Sequence, residues 1–290
     1  MMKIQFRWLM LLLLAGVIAG EAADKRIVLI AGKPSHRPGD HEFRAGCILL
    51  NKWLNKASDI KSEMYDMGWP KSDTVFKGAD AVFIFADGGG RHPAIQQKRA
   101  QLLNALVKKG VGIGCAHYGV EVPAGDTGKT MQNWIGGYYE HKFSVNPMWS
   151  PDFRKFPKHP IANGVKPFKV LDEWYFNMRF RTDGVGKITP ILAAKPGKDV
   201  RDGPYVYPKG PYKHIVDGAG RAETMMWAYE RSDGGRGFGF TGGHKHMNWG
   251  NENFRKVVLN GLLWIAKAEV PKNGVQSSVT EEELKKNWDR

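Results

Sequence analysis

Two periods of apolar residues alternate along the chain. Arg26–Ala31, Ala81–Phe85 and Val111–Ala116 are short β-branched or aromatic runs of the kind buried on both faces of a sheet, and Asp59–Tyr65 alternates as a strand does. Between them Phe43, Cys47, Leu50 and Leu54 recur at helical spacing, as do Ile95, Leu102, Leu103 and Leu106, and Gly110 ends that second helix. Strand–helix–strand units in series predict an α/β fold with a parallel sheet covered on both faces.

The rhythm fails between Tyr118 and about Gly220. This stretch is rich in Pro, Gly and aromatic residues and offers only short strands such as Phe168–Leu171 and Thr189–Ala193, so residues 118–220 read as a long aromatic-rich insertion within the same domain. The pattern then resumes. Thr224–Glu230 and Gly237–Thr241 are strand-like, and Asn251 or Asn253 can cap a helix whose apolar positions 254, 257, 258, 262 and 265 make one stripe. From Pro271 a polar tail, residues 271–290, has too little apolar content to fold alone, although Glu281–Trp288 can form a peripheral helix.

The first two dozen residues are different material. Lys3 and Arg7 precede an apolar run from Trp8 to Ile18, and Gly20 and Ala22 sit where an export peptidase reads small residues, so residues 1–22 are expected to be a signal peptide. The run is shorter than the ~20 residues of a membrane span, and no stable span is expected. The protein is then exported, to the periplasm or outside the cell. At 42% hydrophobic and 25% charged the 290 residues are ordinary globular material, which excludes disorder, collagen and disulfide scaffolds. Lys and Arg number 43 against 29 Asp and Glu, a formal charge of +14 that attracts polyanions. For an exported protein the expected partners are a small carbohydrate or an acidic glycan, not nucleic acid. Only Cys47 and Cys115 are present, one on a helix pattern and one in a strand pattern, where a small buried thiol is the commoner role.

Ligands of an open parallel sheet bind beyond the carboxyl ends of its strands. Those exits carry His36, His41 and Glu42; Gly88, Gly89, Gly90 and His92; His117, Tyr118 and Glu121; and His244 and His246, so six of the nine histidines lie there. Gly112-Ile-Gly-Cys-Ala-His-Tyr-Gly119 has the mechanics of a nucleophile elbow with His117 at its apex. An imidazole there is no acyl-accepting nucleophile, but it suits a general acid/base or a metal ligand. In a shifted register Cys115 becomes the apex, with His244 as its base. His244-Lys-His246 directs two imidazoles to one side of an extended chain; with His41 and His117 they make a candidate set for a divalent metal, to which His36 and Glu42 could add ligands. The run Gly88–Gly90 matches no phosphate-loop pattern and reads as a close backbone approach to a ligand. In the insertion Glu173, Trp174 and Tyr175 combine flat faces with a carboxylate, which suits a sugar ring.

At these residues the chain resembles the ThuA-like, or trehalose-utilisation, family, in a form found among exported proteins of environmental bacteria. The motifs that carry the resemblance are Gly32-Lys-Pro-Ser-His-Arg-Pro-Gly-Asp-His-Glu-Phe43, Asp87-Gly-Gly-Gly90, Gly112 to Glu121, His159-Pro-Ile161 with Asp172-Glu-Trp-Tyr175, and Phe240-Thr-Gly-Gly-His244 leading to Asn253-Phe-Arg and Leu263-Trp264. They run through one domain from about Lys25 to residue 270. The resemblance implies a three-layer, flavodoxin-like sandwich of the class I glutamine amidotransferase-like type, with His117 where the elbow Cys would stand and His244 where its base would lie. It also implies a place in carbohydrate catabolism, including sugars oxidised at the 3-position. The leading expectation is an exported enzyme doing acid/base chemistry on a glycoside or keto-sugar. His117 and His244 are its principal groups, and Glu42 or Glu121 orients them or shares the proton. His36, His41, Gly88–Gly90, His92, Tyr118, Glu173, Trp174 and Tyr175 are expected around the substrate. A catalytically silent glycan-binding protein and a Cys115-dependent amidohydrolase or esterase stay open.

Overall fold

A computed structural model describes residues 24–57 and 59–289, so the expected signal peptide lies outside the described residues. Seven strands form the central sheet: β1 (Lys25–Ala31), β2 (Ile60–Tyr65), β3 (Ala81–Phe85), β4 (Gly112–Ala116), β5 (Lys187–Ala194), β6 (Glu223–Glu230) and β7 (Arg236–Phe240), in the order 2-1-3-4-7-6-5. Strands β2, β1, β3, β4 and β7 are mutually parallel, and β6 runs antiparallel to both β7 and β5. The parallel part has the strand order of a flavodoxin-type sheet.

The long helices are α1 (Phe43–Leu54), α2 (Arg99–Lys108), α3 (Asp126–Ile135) and α4 (Glu252–Ile265). Alternation along β1 separates the two sides of the sandwich. Ile27, Leu29 and Ala31 enter one apolar core with the buried residues of α1 and α4, while Val28 and Ile30 enter the other with Leu103 of α2 and Met131, Trp134 and Ile135 of α3. Helix α4 starts at Asn251, whose side chain accepts from the N–H groups of Asn253 and Phe254; Asn253 is not the cap.

The insertion is more regular than its sequence pattern. Helix α3 lies inside it, bracketed by Gly125 and by Gly136, which takes the left-handed conformation at φ 83°. Its apolar stripe is confined to Met131, Trp134 and Ile135, while Thr127, Gly128 and Thr130 are weak helix formers, which hides it from periodicity. Thr189–Ala193, expected as an isolated short strand, is the middle of β5 and completes the main sheet. Three two-residue ladders pin the rest, and one of them pairs Met148–Trp149 with Asp172–Glu173.

The polar tail is strapped to the body rather than merely peripheral. A capping box between Thr280 and Glu283 starts the short helix α5 (Glu281–Lys285), and Leu284 is buried against the domain. Trp53 Nε1 donates to the Ser278 carbonyl at 2.9 Å, Arg255 Nη2 to that of Ser277 at 2.9 Å, and Asp289 N to Glu42 Oε2 at 2.6 Å. Among the described residues no helix is long and apolar enough to cross a membrane.

Candidate active site

Strands β1, β3, β4 and β7 all release their loops at the same sheet edge, so residues far apart in sequence meet there. Strand β4 ends at Ala116, and His117 turns the chain sharply at φ 49° into a 3-10 turn, His117–Val120. His41, on the loop after β1, is also left-handed at φ 51°. Both are non-glycine residues held in a strained region, which redirects their side chains out of the strand alternation. The loop after β3 lies directly on the turn after β4: a Cβ at Gly88 would stand 2.0 Å from the Tyr118 carbonyl oxygen, so only glycine permits the approach.

Four side chains converge at the floor. His117 Nε2 and His41 Nε2 are 2.9 Å apart, His41 Nε2 and His244 Nδ1 are 2.9 Å apart, and Glu173 Oε2 lies 2.6 Å from His244 Nδ1 and 3.7 Å from His117 Nε2. All four donor atoms lie within 4.8 Å of one another, so these residues could hold a metal ion. Around them Tyr175 Oη is 3.2 Å from His117 Nε2, the His36 ring stacks on His41 with centroids 3.5 Å apart, and Asn146 Nδ2 donates to Glu173 Oε1 at 2.7 Å. The floor opens into a cleft of about 540 Å³ walled by Gly88–Gly90, Tyr118, Glu121 and Tyr207. A larger groove of about 880 Å³ beside Trp53, Lys166 and Lys272 holds none of these histidines, and chemistry rather than size assigns the site.

Burial, reinforced by the neighbouring His41, pushes His117 well below the usual histidine range, so it is neutral. Burial works against ionisation of Glu173 too, but His244 and His41 outweigh it and hold this carboxyl down at about 2. Glu121 behaves oppositely: burial first, and the charge of Glu173 second, push it up to about 7. Tyr118 is raised to about 12, chiefly by burial with Glu121 adding to it.

The sequence matches the family model described as ThuA, trehalose utilisation, over residues 34–265. The chain belongs to the ThuA, or trehalose-utilisation, family. A role in carbohydrate metabolism comes with that family. The fold is similar to that of a ThuA-like protein from Bacteroides uniformis (13% identity, 85% of this chain and 93% of that one, TM-score 0.58). It is also similar to a ThuA-like protein from Parabacteroides merdae (14% identity, 89% of this chain and 94% of that one, TM-score 0.56). No curated protein matches the sequence.

In this ThuA chain His41, His117, His244 and Glu173 come together, with His36, Gly88–Gly90, Tyr118, Glu121 and Tyr175 around them. Four expected residues do not. Glu42 stands at the start of α1 and turns away, its oxygens accepting from Gly39 N at 2.7 Å and Asp289 N at 2.6 Å. His246 begins a 3-10 turn, His246–Gly250, which breaks the extended geometry that would have paired it with His244; its ring is buried beside Trp288, away from the cluster. His92 caps a turn, taking Ala94 N–H on Nδ1 and giving Nε2–H to the Gly119 carbonyl. Trp174 is fully buried in the α1/α4 core against Phe153, Phe240 and Phe254. Cys115 is fully buried on the other side of the sheet, and burial pushes its thiol up, so it is protonated and out of reach of the cleft. Sequence reasoning missed Asp40, Asp87 and Asp172. Asp40 precedes the expected His41 and Asp87 precedes the expected Gly88–Gly90 run, which are usable clues; Asp172 has none beyond its neighbour Glu173.

Proposed function

We propose that this ThuA protein is an exported carbohydrate-active enzyme that transfers a proton on a glycoside or keto-sugar. The observation that carries the reading is Glu121. Its carboxyl is pushed up to about 7, makes no hydrogen bond among the described residues, and shares one cleft with the imidazole cluster. A carboxyl with a pKa near the working pH is what general acid/base catalysis needs. The cluster is the polar floor against which a sugar oxygen rests, and Tyr118, Asn146 and His36 supply hydroxyl partners. A cleft of about 540 Å³ suits a small sugar, and the formal charge of +14 favours one carrying acidic groups.

Two observations weigh against the other readings. The imidazoles converge instead of scattering, and the tryptophans that a silent lectin-like surface would display are core residues: Trp134, Trp149 and Trp174 are all buried. A turnover screen over glycosides and 3-keto-sugars, acidic and neutral, tests the reading on the wild-type chain beside Glu121→Gln and Cys115→Ala. Turnover by wild type and Cys115→Ala, with Glu121→Gln reduced by about 100-fold or more, is expected. Sugar binding with no turnover in any of the three, or turnover lost only in Cys115→Ala, overturns it.

A further inference from the structure

The hydrogen bonds at the cleft floor cannot all be made. A ring nitrogen offers one in-plane position, either a hydrogen or a lone pair. Yet His41 Nε2 faces two nitrogens, those of His117 and His244, each at 2.9 Å. His244 Nδ1 faces Glu173 Oε2 at 2.6 Å as well as His41, and His117 Nε2 faces Tyr175 Oη at 3.2 Å as well as His41. His117 Nδ1 is 3.0 Å from the Thr241 carbonyl, which only accepts, so Nδ1 carries a hydrogen and Nε2 alone is left to face both His41 and Tyr175. No placement of hydrogens serves every contact. Inner lone pairs that share one focus are instead served by a single cation.

The outer atoms tell the same story. Each ring turns its second nitrogen toward an oxygen: His117 Nδ1 to the Thr241 carbonyl at 3.0 Å, His244 Nε2 to Asp40 Oδ2 at 3.4 Å, and His41 Nδ1 to Asp87 Oδ1 at 3.8 Å. The last is too long for a hydrogen bond but has the same sense, and Glu173 is held from behind by Asn146 at 2.7 Å. Histidines that bind metals are oriented in this way, the far N–H given to a carboxylate or a carbonyl.

We infer that His41, His117, His244 and Glu173 form a binding site for a divalent transition metal. Ligands ~2.1 Å from a zinc-like ion stand roughly 3.0–3.4 Å apart in octahedral or tetrahedral sets, and the four separations given above, 2.6–3.7 Å, bracket that range. Three imidazoles and one carboxylate select zinc, iron, nickel or copper chemistry over calcium or magnesium, which take oxygen ligands. This ligand set replaces the sequence expectation that included His246. A metal here would polarise a sugar carbonyl or hydroxyl oxygen, leaving proton transfer to Glu121. The inference goes beyond the sugar-enzyme reading and is tested without turnover.

The full chain is stripped with chelator, then titrated with Zn²⁺ by calorimetry and with Co²⁺ by visible absorption. One equivalent per chain is expected, with nitrogen-ligand Co²⁺ bands and a rise in Tm on loading. His41→Ala and Glu173→Gln should lose the bands and weaken binding by about 100-fold or more. Asn146→Ala, which removes the hydrogen bond behind Glu173 and no ligand, should weaken it about 10- to 100-fold, and His214→Ala, outside the cluster, should change nothing. Where a ligand variant fails to fold, the wild-type stoichiometry and the Asn146→Ala shift still decide. Failure of wild type to bind an equivalent of either metal, or the same affinity in all variants, overturns the site. Metal binding without sugar turnover would leave it standing and sink the enzymatic reading instead.

Discussion

Replacing Asp172 by Asn asks how firmly the insertion is locked to the sheet edge. Asp172 has no exposed surface and accepts four hydrogen bonds: Gly243 N at 2.9 Å and Asn248 Nδ2 at 3.0 Å on Oδ2, Lys245 N at 3.0 Å and Glu173 N at 2.9 Å on Oδ1. It therefore ties the segment bearing Glu173 to the turn bearing His244. Asn keeps one acceptor oxygen and places an NH₂ group against two donors. Asn248 is partly exposed and can turn to water, but the N–H of buried Gly243 is stranded, at ~1–3 kcal/mol, and a charge-assisted bond of ~1.5–3 kcal/mol is lost with it. These overlap, so the expected loss is about 2–4 kcal/mol. For a domain of this size that is roughly 5–15 °C in Tm by thermal circular dichroism. Asn248→Ala is the control and should stay within about 1 kcal/mol of wild type. An Asp172→Asn protein melting with wild type, or an equal drop in Asn248→Ala, would refute the reasoning.

Glu121, protonated up to about pH 7, should make kcat/KM rise through that pH if it acts as a base, and Glu121→Gln should abolish this limb while the rate falls. The same shift means that the native state holds a proton which the unfolded chain releases at the usual carboxyl pKa. Stability should then decline as pH climbs toward 7, and Glu121→Gln should flatten the decline in urea titrations. Cys115→Ala should cost about 1–2 kcal/mol of packing and leave turnover near wild type; a dead enzyme with an unchanged Tm would restore the thiol as nucleophile. Gly88→Ala forces the loop after β3 off the Tyr118 carbonyl, which a Cβ would approach to 2.0 Å. It should lower turnover at least ten-fold, an effect that steady-state kinetics reads directly.

Strands β1, β3 and β4 were legible because buried parallel strands are continuous apolar runs, β2 by its alternation, β6 and β7 as strand-like runs where the pattern resumes, and α4 because its stripe spans about three turns. Helix α3 was not, since one turn of apolar residues among Thr and Gly has no period to detect. The sheet-edge logic brought His41, His117 and His244 together correctly, because strand exits follow from topology alone. It failed wherever adjacency in sequence stood in for adjacency in space. Glu42 follows His41 but begins a helix, His246 follows His244 but begins a turn, and Trp174 lies between Glu173 and Tyr175 yet faces the opposite way, into the core. Asp172 acts through backbone N–H groups from a distant turn, and no local pattern announces such a bond.

His41 and His117 both sit in left-handed backbone, at φ 51° and 49°. Glycine would occupy either position without that strain, which costs other residues on the order of 1 kcal/mol or more. Random drift under selection for stability alone therefore pushes both positions toward glycine, and an imidazole persists only where something besides folding is being selected. Among descendants of this chain, the pair becomes a readable marker: histidine at both sites indicates that chemistry is still under selection, and glycine at either indicates a scaffold whose active centre has been given up.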